Sequence, residues 1–126
     1  MIQIESKIKV VDNSGANKIK CLKILNKSNK SKGRIGDIVV GVVCRLRKSQ
    51  KFKKVKRREI VYGLLVSTKD KISRNGGNIL INFESTNVVL LNKNKSLLAN
   101  RIKGSVFKEL NIKGYNRIIS LSKNII

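Results

Sequence analysis

Three short runs, residues 38–43, 60–66 and 87–91, constrain this chain most: each is of strand length, dense in Val, Ile and Leu, and free of charge. Branched and aliphatic side chains at that density suit a pleated, half-buried surface and need a core to shelter them. In a chain of 126 residues one domain is expected, large enough to bury most of the surface that its unfolded form exposes. The same chain carries 29 Lys/Arg against 7 Asp/Glu, a formal net charge of +22. High charge with 4% aromatic residues is also a signature of disorder, but the apolar runs oppose that reading. A folded body with such a field attracts polyanions, and counterions released from phosphates supply affinity. The expected partner is nucleic acid.

Lys, Ile and Asn make up about two-fifths of the chain, above ordinary usage. These are residues of A/T-rich codons, so coding bias from an organelle or a reduced bacterium accounts for part of the lysine excess. It does not account for the scarcity of acids. Cys21 and Cys44 lie in apolar surroundings and His is absent, so the usual Cys/His sets for zinc cannot be assembled and no metal is expected. Both cysteines read as buried free thiols in a reducing compartment. No run reaches the roughly 18 apolar residues of a membrane span, and residues 1–6 lack the features of a leader. No membrane is expected, and a chain working in an organelle would be made there.

Along the chain, residues 7–11 and 18–25 are strand candidates reversed at Asp12-Asn13-Ser14-Gly15, four residues with strong turn chemistry. A structural turn accounts for all of them, with RNA contact by Asn13 or Ser14 secondary. Residues 26–34 form a basic polar loop before a strand over 38–47. Residues 45–58 are the densest basic stretch, and strand formers on both sides predict a long protruding hairpin or loop shaped against phosphates. Within it Phe52 would either stack on an unpaired base or cap the end of the β structure. Further strands are expected over 59–67, 78–83 and 87–91, the first two joined through Asn75-Gly76-Gly77. Six or so short strands suggest a sandwich or a small closed barrel.

After Asn92 the pattern breaks into an irregular basic segment over 93–103, and Ser105 with Glu109 predicts a helix start running through Leu110. Residues 115–121 fit a strand or a helix, and we take them as helical. Catalysis has little to work with: the seven acids are scattered without a pair at motif spacing and no His can serve as a base. Gly33-Arg34-Ile35-Gly36 lacks the Lys-Ser/Thr of a phosphate-binding P-loop. No enzyme is expected.

Val11-Asp12-Asn13-Ser14-Gly15-Ala16, Cys21 and Gly36-Asp37-Ile38 resemble the opening of the universal large-subunit ribosomal protein fourteen family. Gly63-Leu64-Leu65-Val66 with Phe83, Thr86, Val89 and Leu90 is similar to its signature, and Leu90-Leu91-Asn92, Arg101-Ile102, Gly104, Glu109-Leu110 and Ile118-Ile119-Ser120-Leu121 resemble its C-terminal region. The chain departs from the family in its loops. The segment 48–58 lacks the usual Pro-Arg-Gly start, Gly77-Asn78 stands in place of Asx-Gly, and Ser105 replaces a proline.

The resemblance implies a mainly β fold: a small five-stranded barrel over about 1–91, a projecting β-ribbon, and short helices in a C-terminal region over about 92–126. It implies a structural constituent of the large ribosomal subunit that binds large-subunit rRNA and bridges to small-subunit rRNA. Its expected neighbours are large-subunit proteins three and nineteen and a ribosome-silencing factor, with no cofactor. The phosphate-holding residues would be Lys27, Lys30, Lys32, Arg34, Arg45, Arg47, Lys48, Lys51, Lys53, Lys54, Lys56, Arg57, Arg58, Lys69, Arg74, Lys93, Arg101 and Lys103. Arginines can fork onto phosphate oxygens while lysines act as flexible point charges. The bridge would use Cys44, Arg45, Leu46, Arg47, Lys48 and Ser49, with Ile119, Ser120, Leu121 and Ser122. The rival is a free-standing barrel that coats single strands, which the sparse aromatics disfavour. Composition and the lack of a leader favour a mitochondrial ribosome, with plastid and bacterial cytoplasm as alternatives.

Overall fold

The structure, a computed structural model, describes residues 5–25, 33–48, 51, 53–74, 77, 79–111 and 114–126. Four strands open the fold: β1 (Lys7–Val10), β2 (Ala16–Ile24), β3 (Ile38–Leu46) and β4 (Ile60–Ser67). Next come β5 (Ile72–Arg74), β6 (Ile79–Ile81) and β7 (Asn87–Leu91). The chain finishes with β8 (Ile102–Val106), a 3-10 turn (Lys108–Asn111), α1 (Asn116–Leu121) and β9 (Ser122–Ile125). Strands β1, β2, β3, β4 and β7 close into a barrel, β1 meeting β7 in parallel with Lys9 opposite Asn87 and every other neighbour antiparallel. Closure leaves none of these five strands with a free edge.

Two cores share the barrel wall. Ile8, Val10, Ile19, Cys21, Val39, Val43, Val61, Leu65, Val88 and Leu90 fill the interior. Leu64, Val66, Val89 and Leu91 point outward from β4 and β7 into a second core with Ile102, Val106, Phe107, Leu110 and Ile118. A strand covered on both faces loses the apolar–polar alternation, and all five residues of β7 are buried. By contrast β1 alternates exposed and buried residues: the C-terminal segment packs on β4 and β7 and meets the chain just past β1, where the Lys103 N–H donates to Val11 O at 2.8 Å, leaving Lys7 and Lys9 exposed. Each fully buried Leu or Ile such as Leu110 or Ile118 contributes roughly 1.5–3 kcal/mol over leaving it in water.

One strand expectation and one helix expectation change. The expected strand over 78–83 does not join β4: Ile79–Ile81 pairs with Ile72–Arg74 in a separate two-stranded ribbon, and β4 pairs with β7 instead. The ribbon turns at Gly77, whose φ of +94° suits a residue without Cβ. Ser105 does not start a helix: it lies in β8, which pairs in parallel with β9, Ser105 opposite Asn124. Burial of Ile102 and Val106 and a Phe107 N–H to Val66 O bond of 3.0 Å dock this strand on β4, which outweighs the local helix signal. The C-terminal region is thus a strand pair with one short helix and a 3-10 turn.

Candidate nucleic-acid interface

The site begins with a turn pinned by hydrogen bonds on both sides. Asp12 is fully buried, and its carboxylate accepts from the Ser14 hydroxyl at 2.6 Å, the Ser14 N–H at 3.1 Å and the Leu90 N–H at 2.8 Å. Burial pushes this carboxyl above its ordinary pKa, an effect partly offset by the bonds from Ser14 and Leu90 and by the nearby Arg47 guanidinium. Asn13 faces the C-terminal region: its Oδ1 accepts from the Asn100 and Arg101 N–H groups at 3.1 and 3.2 Å, and its Nδ2 donates to Asn100 Oδ1 at 2.6 Å. The structural reading of this turn accounts for these contacts.

The basic segment hangs on the same turn. Lys54 N–H donates to Ser14 O at 2.8 Å, Arg47 N–H to Gly15 O at 2.8 Å, and Arg58 N–H to Val43 O at 2.9 Å. Val55, 4% exposed, is driven into the barrel interior. The described part of 45–58 is therefore no protruding hairpin, because one buried apolar side chain and these backbone bonds fold it across the barrel end. Contacts within the protein account for the shape of this part. Lys53, Lys54, Lys56, Arg57 and Arg58 remain exposed, with a Lys54 Nζ bond of 2.8 Å to Leu98 O. The Asn13 and Lys54 contacts thus gather the 53–58 loop, Arg101 and neighbouring Lys103 at one end of the barrel.

Two further acids serve loop geometry. Asp37 Oδ2 accepts from the Arg34 N–H at 2.6 Å and Glu59 Oε2 from the Lys56 N–H at 2.8 Å, so two carboxylates close turns that present cations. Glu109 pairs with Arg74. Among the described residues no group of three or more His, Cys, Asp or Glu is placed to hold a metal, and no helix is long and apolar enough to cross a membrane. The exposed basic side chains gathered at this barrel end make it the candidate surface for a polyanion.

The family model for ribosomal protein L14p/L23e matches residues 1–126. The chain belongs to that family. The chain is similar to the large ribosomal subunit protein uL14 of Petrotoga mobilis, 41% identical over 125 residues covering 99% of each chain. It is also similar to the uL14 of Carsonella ruddii, 38% identical over 127 residues covering 100% of each. Both relatives are bacterial. This L14p/L23e member is therefore a structural constituent of the large ribosomal subunit acting in translation, and not an enzyme.

Within this L14p/L23e chain, the residues expected to hold phosphate are placed unevenly. Lys27, Lys30, Lys32, Ser49 and Phe52 lie outside the described residues. Arg34, Arg45, Lys48, Lys51, Lys69, Lys93, Arg101 and Lys103 are exposed. Arg47 is half-buried and its Nη2 donates to Val10 O at 2.7 Å, a role in holding the turn. Arg74 is committed within the protein: beyond its pair with Glu109 it donates to Ile126 O at 2.9 Å and lies 5.2 Å from the Phe107 ring centre. It ties the ribbon to the C-terminal segment.

The expected bridge residues fall on two elements. Cys44, Arg45 and Leu46 end β3 and Arg47 and Lys48 follow it, while Ile119, Ser120 and Leu121 lie on α1 and Ser122 opens β9. Cys44, Leu46, Ile119, Leu121 and Ser122 are half-buried and Ser120 is exposed. Cys21 is buried, Cys44 half-buried, and both are free thiols. The sequence reading passed over one cluster. Lys7, Lys9 and Lys18 are exposed and Lys20 is half-buried on the outer face of β1 and β2. The alternation Lys7-Ile8-Lys9-Val10 and Lys18-Ile19-Lys20-Cys21 carried that signal.

Proposed function

We propose that this chain binds large-subunit rRNA directly, with the 53–58 loop as its main phosphate contact. The observation that carries the reading is that Lys53, Lys54, Lys56, Arg57 and Arg58 stand exposed on a loop already fixed by Val55 and by the Ser14 and Val43 carbonyls. Preformed cations lose less ordering entropy on binding. Arg34, Lys69, Lys93, Arg101 and Lys103 add charge around it, and backbone and shape readout dominate over base edges. Residues 44–49 and 119–122 contribute to contact with small-subunit rRNA across the interface. Large-subunit proteins three and nineteen and a ribosome-silencing factor are its protein neighbours. The exposed Ile79 and Leu80 of the ribbon support protein contact there.

The rival, a free-standing single-strand binder, needs several aromatic rings in a row. Phe83 and Phe107 are instead buried and packed edge to face with ring centres 6.2 Å apart, and Tyr62 and Tyr115 are half-buried against the second core. Two bacterial relatives support a bacterial-type ribosome, which fits the bacterial cytoplasm. The A/T-rich composition keeps a mitochondrial ribosome as the second reading. The test is Arg57→Ala with Arg58→Ala in cells. Reduced incorporation into large subunits with normal protein levels is expected, and unchanged incorporation would count against the reading.

A further inference from the structure

The outer face of β1 and β2 is a ladder of like charge. Lys7 stands opposite Lys20 and Lys9 opposite Lys18, and Lys18 is in turn opposite Arg45 of β3. Neighbours two apart on a strand lie roughly 7 Å from each other, and directly opposed side chains about 5 Å. The four lysines thus form a compact grid, and Arg45 stands beside Lys18 at a β-bulge. Like charges placed directly opposite destabilise a sheet, so the free protein gains nothing from this register. Among the described residues no carboxylate is bonded to Lys7, Lys9, Lys18 or Lys20. The acids near the ladder are Glu5 at its end, whose N–H bonds Cys21 O, and Glu84, which shares a surface cleft with Lys9. Lys7, Lys9 and Lys18 are exposed and Lys20 is half-buried, with Gly104, Ser105 and Ile126 of the C-terminal segment bordering the ladder at Lys9.

We propose that this lysine ladder, extended by Arg45, is a second rRNA contact surface, continuing along a phosphate backbone beyond the 53–58 loop. The inference rests on the rRNA-binding reading above. A flat row of cations without aromatic rings takes backbone charge and carries no base readout. An acidic protein would be the other polyanion, but the ladder runs through Arg45 towards the basic barrel end, and that continuity favours one extended RNA track.

The experiment compares wild type with Lys7→Gln/Lys9→Gln/Lys18→Gln/Lys20→Gln, titrating each against protein-free large-subunit rRNA from low to moderate KCl. Losing about four phosphate contacts should lower the slope of log K against log salt by about 3, so that a fourfold rise in salt costs wild type roughly 60-fold more affinity than the variant. Melting of the free variant at low salt should be unchanged or raised, because opposed charges are gone. If the quadruple variant does not fold, Lys9→Gln/Lys18→Gln should still lower the slope by about 1.5. An unchanged slope in a folded variant would overturn the proposal, and so would an unchanged slope with loss of an acidic protein partner. Wild type that fails to bind the rRNA would overturn the underlying reading, a result visible in the control arm alone.

Discussion

Replacing Gly15 with alanine attacks the contact on which the basic loop hangs. Gly15 has φ of +109°, and a Cβ there would lie 2.8 Å from both Cβ and Cγ of Lys53 and 3.0 Å from its Cα. Backbone strain at such a φ costs about 1–2 kcal/mol for an L-residue. Relieving the clash must shift Lys53, which loosens the 2.8 Å bond from Lys54 N–H to Ser14 O and the seat of Val55. One weakened bond is about 1 kcal/mol, giving a total near 3 kcal/mol. Urea unfolding measures this directly. In a Lys53→Gly background the clash with the side chain vanishes, leaving only strain and the close approach to the backbone of residue 53, so the cost of Gly15→Ala should fall by about 1 kcal/mol. A cost below about 1 kcal/mol, or full additivity with Lys53→Gly, would refute the claim that turn and loop are one mechanical unit.

Asp12→Asn should cost about 1–3 kcal/mol in urea unfolding, because an amide donor must replace one of the carboxylate acceptors that face Ser14 and Leu90; a neutral substitution would show that those bonds carry little. Burial raises the Asp12 pKa in the folded state, so its proton is held more tightly folded than unfolded. Its contribution to stability should therefore be largest below the unfolded pKa and fade as pH rises through the folded one. Wild type should gain on Asp12→Asn as pH falls through that window, and a relative loss would reverse the assignment. Arg74→Ala should cost about 1–2 kcal/mol and speed amide exchange in the ribbon, since its half-exposed pair with Glu109 is partly screened but its bond to Ile126 O is lost too; unchanged exchange would remove Arg74 as the tie.

How far the fold was legible depended on how local its causes are. Strands β4 and β7 announced themselves because residues covered on both faces leave long apolar runs, β3 because its outward positions are also Val although only alternate residues are buried, and the turn at Asp12–Gly15 because its chemistry lies within four residues. The ribbon strands are three residues each and β8 pairs with β9 across a long stretch of chain, so neither produces a periodicity. The spacing of Ser105 and Glu109 imitated a helix start where docking on β4 decided otherwise. Charge density in 45–58 suggested protrusion, and only Val55 hinted at the anchor that folds it back. The lysine ladder escaped notice because its charges are scattered along two strands and meet only through register. Arg74 looked like any other exposed cation until the fold brought Glu109 and Phe107 to it.

Direct rRNA binding would make this chain an integral part of the large subunit. Sedimentation of a lysate through density gradients at stepped salt, following this protein, tests it most directly. The protein should stay with the large subunit at high salt, where purely electrostatic binding through six to ten phosphates would already have fallen about a thousandfold or more. Release into the light fractions at moderate salt, with the large subunit intact, would contradict it.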